Sequence, residues 1–208
     1  MRKQASSRLR KSFVRRVDTR DTKERFLIVC EGTKTEVNYF KRFRVPGRVA
    51  RLIGTGRNTL SLVNQAIDLR DRHQFSDCAG GKYDQCWCVF DRDSFDADDF
   101  DNAIQKAESS DFRVAYSNEA FEQWYLLHFG FNNTCLSRSE YNGKLENSFG
   151  EPYSKSGDYY NILLPMQASA IENARKLLGS FAEDVSYSKR CPSTTVHLLV
   201  QELNKSVT

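Results

Sequence analysis

At 208 residues, 39% apolar and 28% charged, the chain has the make-up of one globular domain rather than a disordered or fibrous protein. No apolar run nears the ~20 residues that span a bilayer, so no membrane helix is expected. The basic start, MRKQASSRLRKSFVRR, has no apolar stretch behind it and is not a secretory signal, which places the expected location in the cytosol. The net charge of +4 is unevenly spread: residues 1–20 carry eight basic residues against Asp18, leaving a slightly acidic body. Such an arm, through Arg8, Arg10, Lys11, Arg15 and Arg16, suits nucleic-acid phosphates, because each paired cation releases counterions. A solubilising tail has the same composition, and charge alone does not separate the two.

In chain order, FLIVC (26–30) is a short apolar run that ends at Glu31-Gly32, the pattern of a buried strand followed by a turn in which Gly32 frees the backbone. Thr35 is placed to cap a helix over TEVNYFKRFR. VARLIG (49–54) is a second strand, followed by a helix over 58–72 and a loop at 77–82. QCWCVFD (85–91) is a third strand that ends in acids, and a helix over 98–109 follows it. FRVAYS (112–117) is a fourth strand and EAFEQWYLLHF (119–129) an apolar helix. Residues 130–160 are rich in Asn, Ser, Gly and Tyr with weak periodicity, and read as a loop-rich insertion. Helices are expected again at about 161–180 and 193–204. Alternating strands and helices predict an α/β fold with a mainly parallel sheet of about four strands and a helical C-terminal part. The domain spans 21–208, behind the arm.

The six cysteines, at 30, 78, 86, 88, 135 and 191, form no CxxC pair that would hold zinc, and are expected to be reduced and mostly buried. Cys86 and Cys88 fall on one face of the third strand.

The sharpest feature is VFDRDSFDADDFD (89–101), six aspartates directly after an apolar strand. Asp91 and Asp93 are two apart, so both carboxylates can project the same way. Two crowded carboxylates repel unless a cation neutralises them, and hard oxygen donors suit Mg²⁺ (or Mn²⁺). Asp96, Asp98, Asp99 and Asp101 read as a solvated helix start. An EF-hand is excluded by Phe95 and Asp96 where such a loop needs an oxygen ligand and a glycine. A haloacid-dehalogenase-like phosphotransfer site, with Asp91 as nucleophile, stays open although Phe95 stands where Thr or Val belongs. The second group is LIVCEGTKTE, with Glu31 leaving the first strand and Glu36 one helical turn on. Ligands of parallel sheets gather at the carboxyl ends of strands, where Glu31, Asp91 and Asp93 all fall.

Four blocks, RRVDTRDTKERFLIVCEGTKTEVNYF, CVFDRDSF, AYSNEAFEQWYLLHF and CPSTTVHLLVQEL, resemble the RloB-like family in order and separation, over roughly residues 15–205. The resemblance implies a Toprim-like fold and a Mg²⁺-dependent nuclease of bacterial anti-phage defence. In it, Glu31 matches the Toprim glutamate and Asp91 and Asp93 its DxD, with Glu36 near a second glutamate that could hold another ion. It also implies a separately encoded ATPase partner, to which any ATP use would belong, as this chain shows no Walker motif. Glu122 could face the same cleft. His128 reads as a structural histidine and Lys155 as a surface lysine. The expected chemistry is cleavage of DNA or RNA, with Glu31 completing the metal site or moving a proton. The remaining alternative is a non-enzymatic nucleic-acid or ATPase-partner-binding module with a vestigial acidic site.

Overall fold

The computed structural model describes residues 24–43, 49–56, 58–74, 82–93 and 96–205. The basic arm, with Arg8, Arg10, Lys11, Arg15 and Arg16, lies outside the described residues, as does Cys78. The elements run β1 (Arg25–Cys30), α1 (Thr35–Phe40), β2 (Val49–Gly54), α2 (Thr59–Gln74), β3 (Gln85–Asp91), α3 (Ala97–Ser109) and β4 (Arg113–Asn118). There follow α4 (Glu122–Phe129), α5 (Arg138–Phe149), α6 (Tyr160–Leu163), α7 (Gln167–Leu178), β5 (Ser193–Thr194) and α8 (Val196–Asn204). Among the described residues no helix is long and apolar enough to cross a membrane.

The five strands lie in the order β2-β1-β3-β4-β5; the first four are parallel and β5 runs antiparallel to β4. Both faces are covered, which is why the strands read as unbroken apolar runs. Alternation along them divides the core. Phe26, Ile28, Trp87 and Val89 pack on one side with α1, α4, α7 and α8. Leu27, Val29, Cys86, Cys88 and Phe90 pack on the other with α2 and α3. The fold is thus α/β with a mostly parallel sheet and a helical C-terminal part, in agreement with the Toprim-like expectation. The fifth strand is an addition to the four predicted. It is two residues long, and Ser-Thr has no apolar pattern to reveal it.

Four local expectations are corrected. The segment 130–160 is not loop-rich throughout, since it contains the twelve-residue α5, opened by a capping box of Ser137 and Glu140 and closed by Gly150 in the left-handed conformation. Thr35 does not cap α1 but is its first residue, buried, with its hydroxyl donating to the Lys155 carbonyl at 3.3 Å. Asp101 is not merely solvated. Its carboxylate accepts from the Ser188 N–H at 2.8 Å and the Ser188 hydroxyl at 2.7 Å, tying α3 to the short 3₁₀ turn Tyr187–Lys189. Cys30, Cys86 and Cys88 are free and buried, but Cys135 and Cys191 are joined as a disulfide, Cα atoms 5.5 Å apart. They are 56 residues apart in the chain, and only the folded topology brings them together.

Candidate active site

The strand order places the site. β1 sits between β2 and β3, so the chain leaves β1 to one side for β2 and returns to the other for β3. Connections that diverge in this way open a crevice at the carboxyl ends of the two strands. Glu31 follows β1 and Asp91 ends β3. The Glu31 N–H donates to the Val89 carbonyl at 2.8 Å, which continues the ladder, and the Asp91 N–H donates to Glu31 Oε2 at 3.2 Å. The two acids are therefore positioned by backbone pairing and not by loop conformation.

Asp91 is 9% exposed, and its Oδ2 accepts from the Phe121 N–H, at the head of α4, at 3.0 Å. Asp93 lies beyond a left-handed turn, at φ 47°, a conformation that Asp tolerates better than most residues. Its N–H donates to the Glu119 carbonyl at 3.2 Å, and its Oδ2 pairs with Arg138 Nη2 at 3.0 Å. Glu36, 6% exposed, folds back from α1 so that Oε1 accepts from the Gly32 N–H at 3.2 Å. A Cβ on residue 32 would collide with that carboxylate, so Gly32 serves to admit Glu36 closely and not to supply a left-handed turn. Glu122, 4% exposed, heads α4 and accepts from the Tyr153 hydroxyl at 2.9 Å.

All five carboxylates line one cavity of about 390 Å³, together with Lys34, Asn58, Arg138 and Lys155. The structure thus brings together Glu31, Glu36, Asp91 and Asp93, and adds Glu122 to them. Lys155 is an exposed surface lysine, as expected, and stands at the rim of this cleft. Arg138 was missed because its helix was, although the Ser137…Glu140 capping box was a readable signal.

Crowding marks the electrostatics. Burial, followed by the charges of Glu36 and Asp93, pushes Glu31 from 4.5 to about 7, against the opposing Asp91 N–H and Arg138. Burial pushes Asp91 well above the usual carboxylate range, and Glu36, Glu122 and Glu31 push it further. Glu36 is raised by burial and then by Glu122. His128 and His197 lie apart from this chemistry. Each is buried with Nδ1 against a backbone carbonyl, of Trp124 and Thr194 respectively, and burial lowers each to about 4.

The model of the RloB-like protein family matches residues 26–203, nearly all of the described domain. The chain belongs to the RloB-like family. No curated protein and no solved structure matches it. The family match spans β1 to α8, so it includes both acidic strand ends and the α5 segment that faces them.

Proposed function

We propose that this RloB-like chain cleaves phosphodiester bonds of a nucleic acid with the help of Mg²⁺ or Mn²⁺, as part of bacterial anti-phage defence. The observation that carries the reading is the convergence of Glu31, Glu36, Asp91 and Asp93 on one open cavity, with three of them held above their ordinary pKa. Acids raised by burial and by one another in a cleft are candidates for a functional site.

The residues fit a hard cation. Every anionic group of the lining is a carboxylate, and a bound cation would offset both the burial and the mutual repulsion that raise them. Among the described residues no three or more His, Cys, Asp or Glu side chains form a ready-made metal cage. Mg²⁺ does not need one, since it takes one or two carboxylates and keeps water and phosphate for the rest. Asp91 and Asp93 would hold the ion, Glu31 would complete the site, and Glu36 could serve a second. When bound, the ion supplies positive charge to the phosphate being cut. Burial holds Glu31 at about 7 in the metal-free protein; where it stays off the ion, it would accept a proton from water or return one to the leaving oxygen. The basic arm would grip backbone phosphates without reading bases. ATP-driven steps would belong to a separate ATPase partner.

Phosphotransfer through Asp91 is less well supported, since that carboxylate is buried with one oxygen committed to the Phe121 N–H. The test is a crystal soaked in Mn²⁺ beside a cleavage assay on RNA and DNA. Anomalous density at Asp91, Asp93 and Glu31, with cleavage lost in Asp93→Asn, is expected. Cleavage retained by Asp93→Asn overturns the reading. Metal-independent binding without turnover points to a docking module instead.

A further inference from the structure

The cavity draws its charged groups from different parts of the fold. The carboxylates come from strand ends and from the heads of α1 and α4, whereas Arg138 and Lys155 come from α5 and the loop after it. That loop is strapped to α1: Thr35 donates to the Lys155 carbonyl, Asn38 Nδ2 donates to the Ser156 carbonyl at 3.2 Å, and Arg42 pairs with Asp158. From these segments Arg138 and Lys155 reach the cavity. Arg138 stands in the first turn of α5, and its Nη2 meets Asp93. Two further groups of this helix are unspent. Arg138 Nε is buried with no hydrogen-bond partner, and so is the hydroxyl of Tyr141, fully buried one turn further along. The Tyr141 hydroxyl stands within the electrostatic influence of Asp91, Glu119 and Glu122.

A guanidinium has five N–H donors in a planar fork and is the side chain best matched to two phosphate oxygens. Here one arm is held by Asp93 and Nε is idle. Five carboxylates at the cavity would repel a phosphodiester unless the lining cations Lys34, Arg138 and Lys155, or a bound metal, offset them. A metal held by Asp93 would also compete with Arg138 for that carboxylate, leaving the guanidinium to find another anion at the same place.

The geometry points to Arg138 as the residue that holds the substrate phosphate: it pairs with Asp93 in the free protein and passes to a phosphate oxygen when a divalent cation takes Asp93, with Lys155 as a second, looser contact. This rests on the nuclease reading of the cleft and adds the group that positions its substrate. Arg138 is a substrate-binding residue in this scheme and moves no proton.

The proposal has two consequences of opposite sign. Loss of the Arg138 charge weakens nucleic-acid binding, because a charge-assisted contact goes. The same loss tightens cation binding, because a competitor for Asp93 and a nearby positive charge go. A residue that only braced α5 would weaken both. The experiment uses the full chain, with Arg138→Met and Arg138→Lys checked for an unchanged melting temperature. Binding of labelled oligouridylate RNA and oligothymidylate DNA is followed by fluorescence anisotropy in Ca²⁺ across a salt series. Mn²⁺ binding is titrated separately by electron paramagnetic resonance.

Arg138→Met is expected to bind the preferred oligonucleotide about tenfold more weakly and to lower the salt slope by about 0.7, the loss of one single-strand phosphate contact. Arg138→Lys recovers part of this, and Arg138→Met binds Mn²⁺ a few-fold more tightly. Unchanged oligonucleotide affinity and salt slope in Arg138→Met, while the parent protein still cuts, overturn the role of Arg138 alone. Parent protein that binds neither oligonucleotide nor Mn²⁺ overturns the nuclease reading, and with it leaves Arg138 as a brace for Asp93 only.

Discussion

Glu31→Gln removes a charge that the fold holds at a cost, so it should make the protein more stable while disabling the site. The carboxyl of Glu31 rises from 4.5 to about 7, chiefly through burial and secondarily through Glu36 and Asp93. Below pH 4.5 it is protonated in both folded and unfolded chains and costs nothing. Between pH 4.5 and 7 the folded state keeps a proton that the unfolded state has released, so stability falls as pH rises. Above pH 7 both are ionised and the full penalty stands. At ~1.4 kcal/mol per pH unit, the ceiling is about 3 kcal/mol, and solvent screening of a partly exposed group sets a floor at roughly half of that. For a chain of this size, about 1.5–3 kcal/mol corresponds to a rise in Tm of roughly 3–12 °C. The introduced amide would keep an oxygen to accept the Asp91 N–H, so the local geometry is retained. The assay is thermal melting of parent and Glu31→Gln in EDTA from pH 4.5 to 8.5. The gap should be near zero at the acid end, open through pH 6 and level off above pH 7. A gap independent of pH, or a variant less stable than the parent at pH 8, refutes the argument.

The histidines carry the opposite sign. Burial of His128 and His197 lowers each from 6.5 to about 4, so stability is whole above pH 6.5 and is lost as pH falls toward 4, by about 2 kcal/mol per group at pH 5. His128→Gln should therefore be destabilising at pH 7.5 and appreciably less so at pH 5, as read from urea midpoints; an equal deficit at both would show that His128 takes up its proton without cost. Reduction of the Cys135–Cys191 bridge opens a 56-residue separation and should lower stability by about 4 kcal/mol on the loop-closure account. Alkylation under denaturing, non-reducing conditions tests the premise, and finding both thiols modified would remove it.

Much of the sheet was legible because a parallel sheet covered on both faces writes each strand as an unbroken apolar run. FLIVC, VARLIG and QCWCVFD each coincide with a strand to within a residue. The acids were legible for the same reason, standing where such runs stop. The helices were less exact wherever the backbone departs from the periodic pattern. The apolar pattern from 119 predicted the start of a helix, but Glu119 adopts φ 88° and α4 begins at Glu122. α5 escaped notice because only Tyr141 and Leu145 of its twelve residues are buried. A helix that lies over the molecule with so narrow an apolar stripe has almost no periodic signal. Its caps were the readable part. The cost of missing it was Arg138, for a cation on an unrecognised helix cannot be assigned a direction. The bridge between Cys135 and Cys191 had no signal at all, since no local spacing encodes a contact made by the closure of the fold.

The manner in which Asp91 is held separates what the fold tolerates from what it leaves unresolved. The backbone offers this buried carboxylate the Phe121 N–H at the head of α4, where the helix dipole also favours negative charge, and burial still holds it well above the usual carboxylate range. Its neighbours are held as sparingly. Glu31 shares the Asp91 N–H, Glu36 turns back on the Gly32 N–H, and Asp93 depends on Arg138. Each carboxylate has few donors and all four face one cavity, so their mutual repulsion is divided and not removed. A protein that needed only a stable strand end would place Asn or Ser at such positions. Acids held by so few donors keep a fixed position and an unsatisfied charge at once. A site that binds a cation and then an anionic chain has to combine those two properties before either ligand arrives.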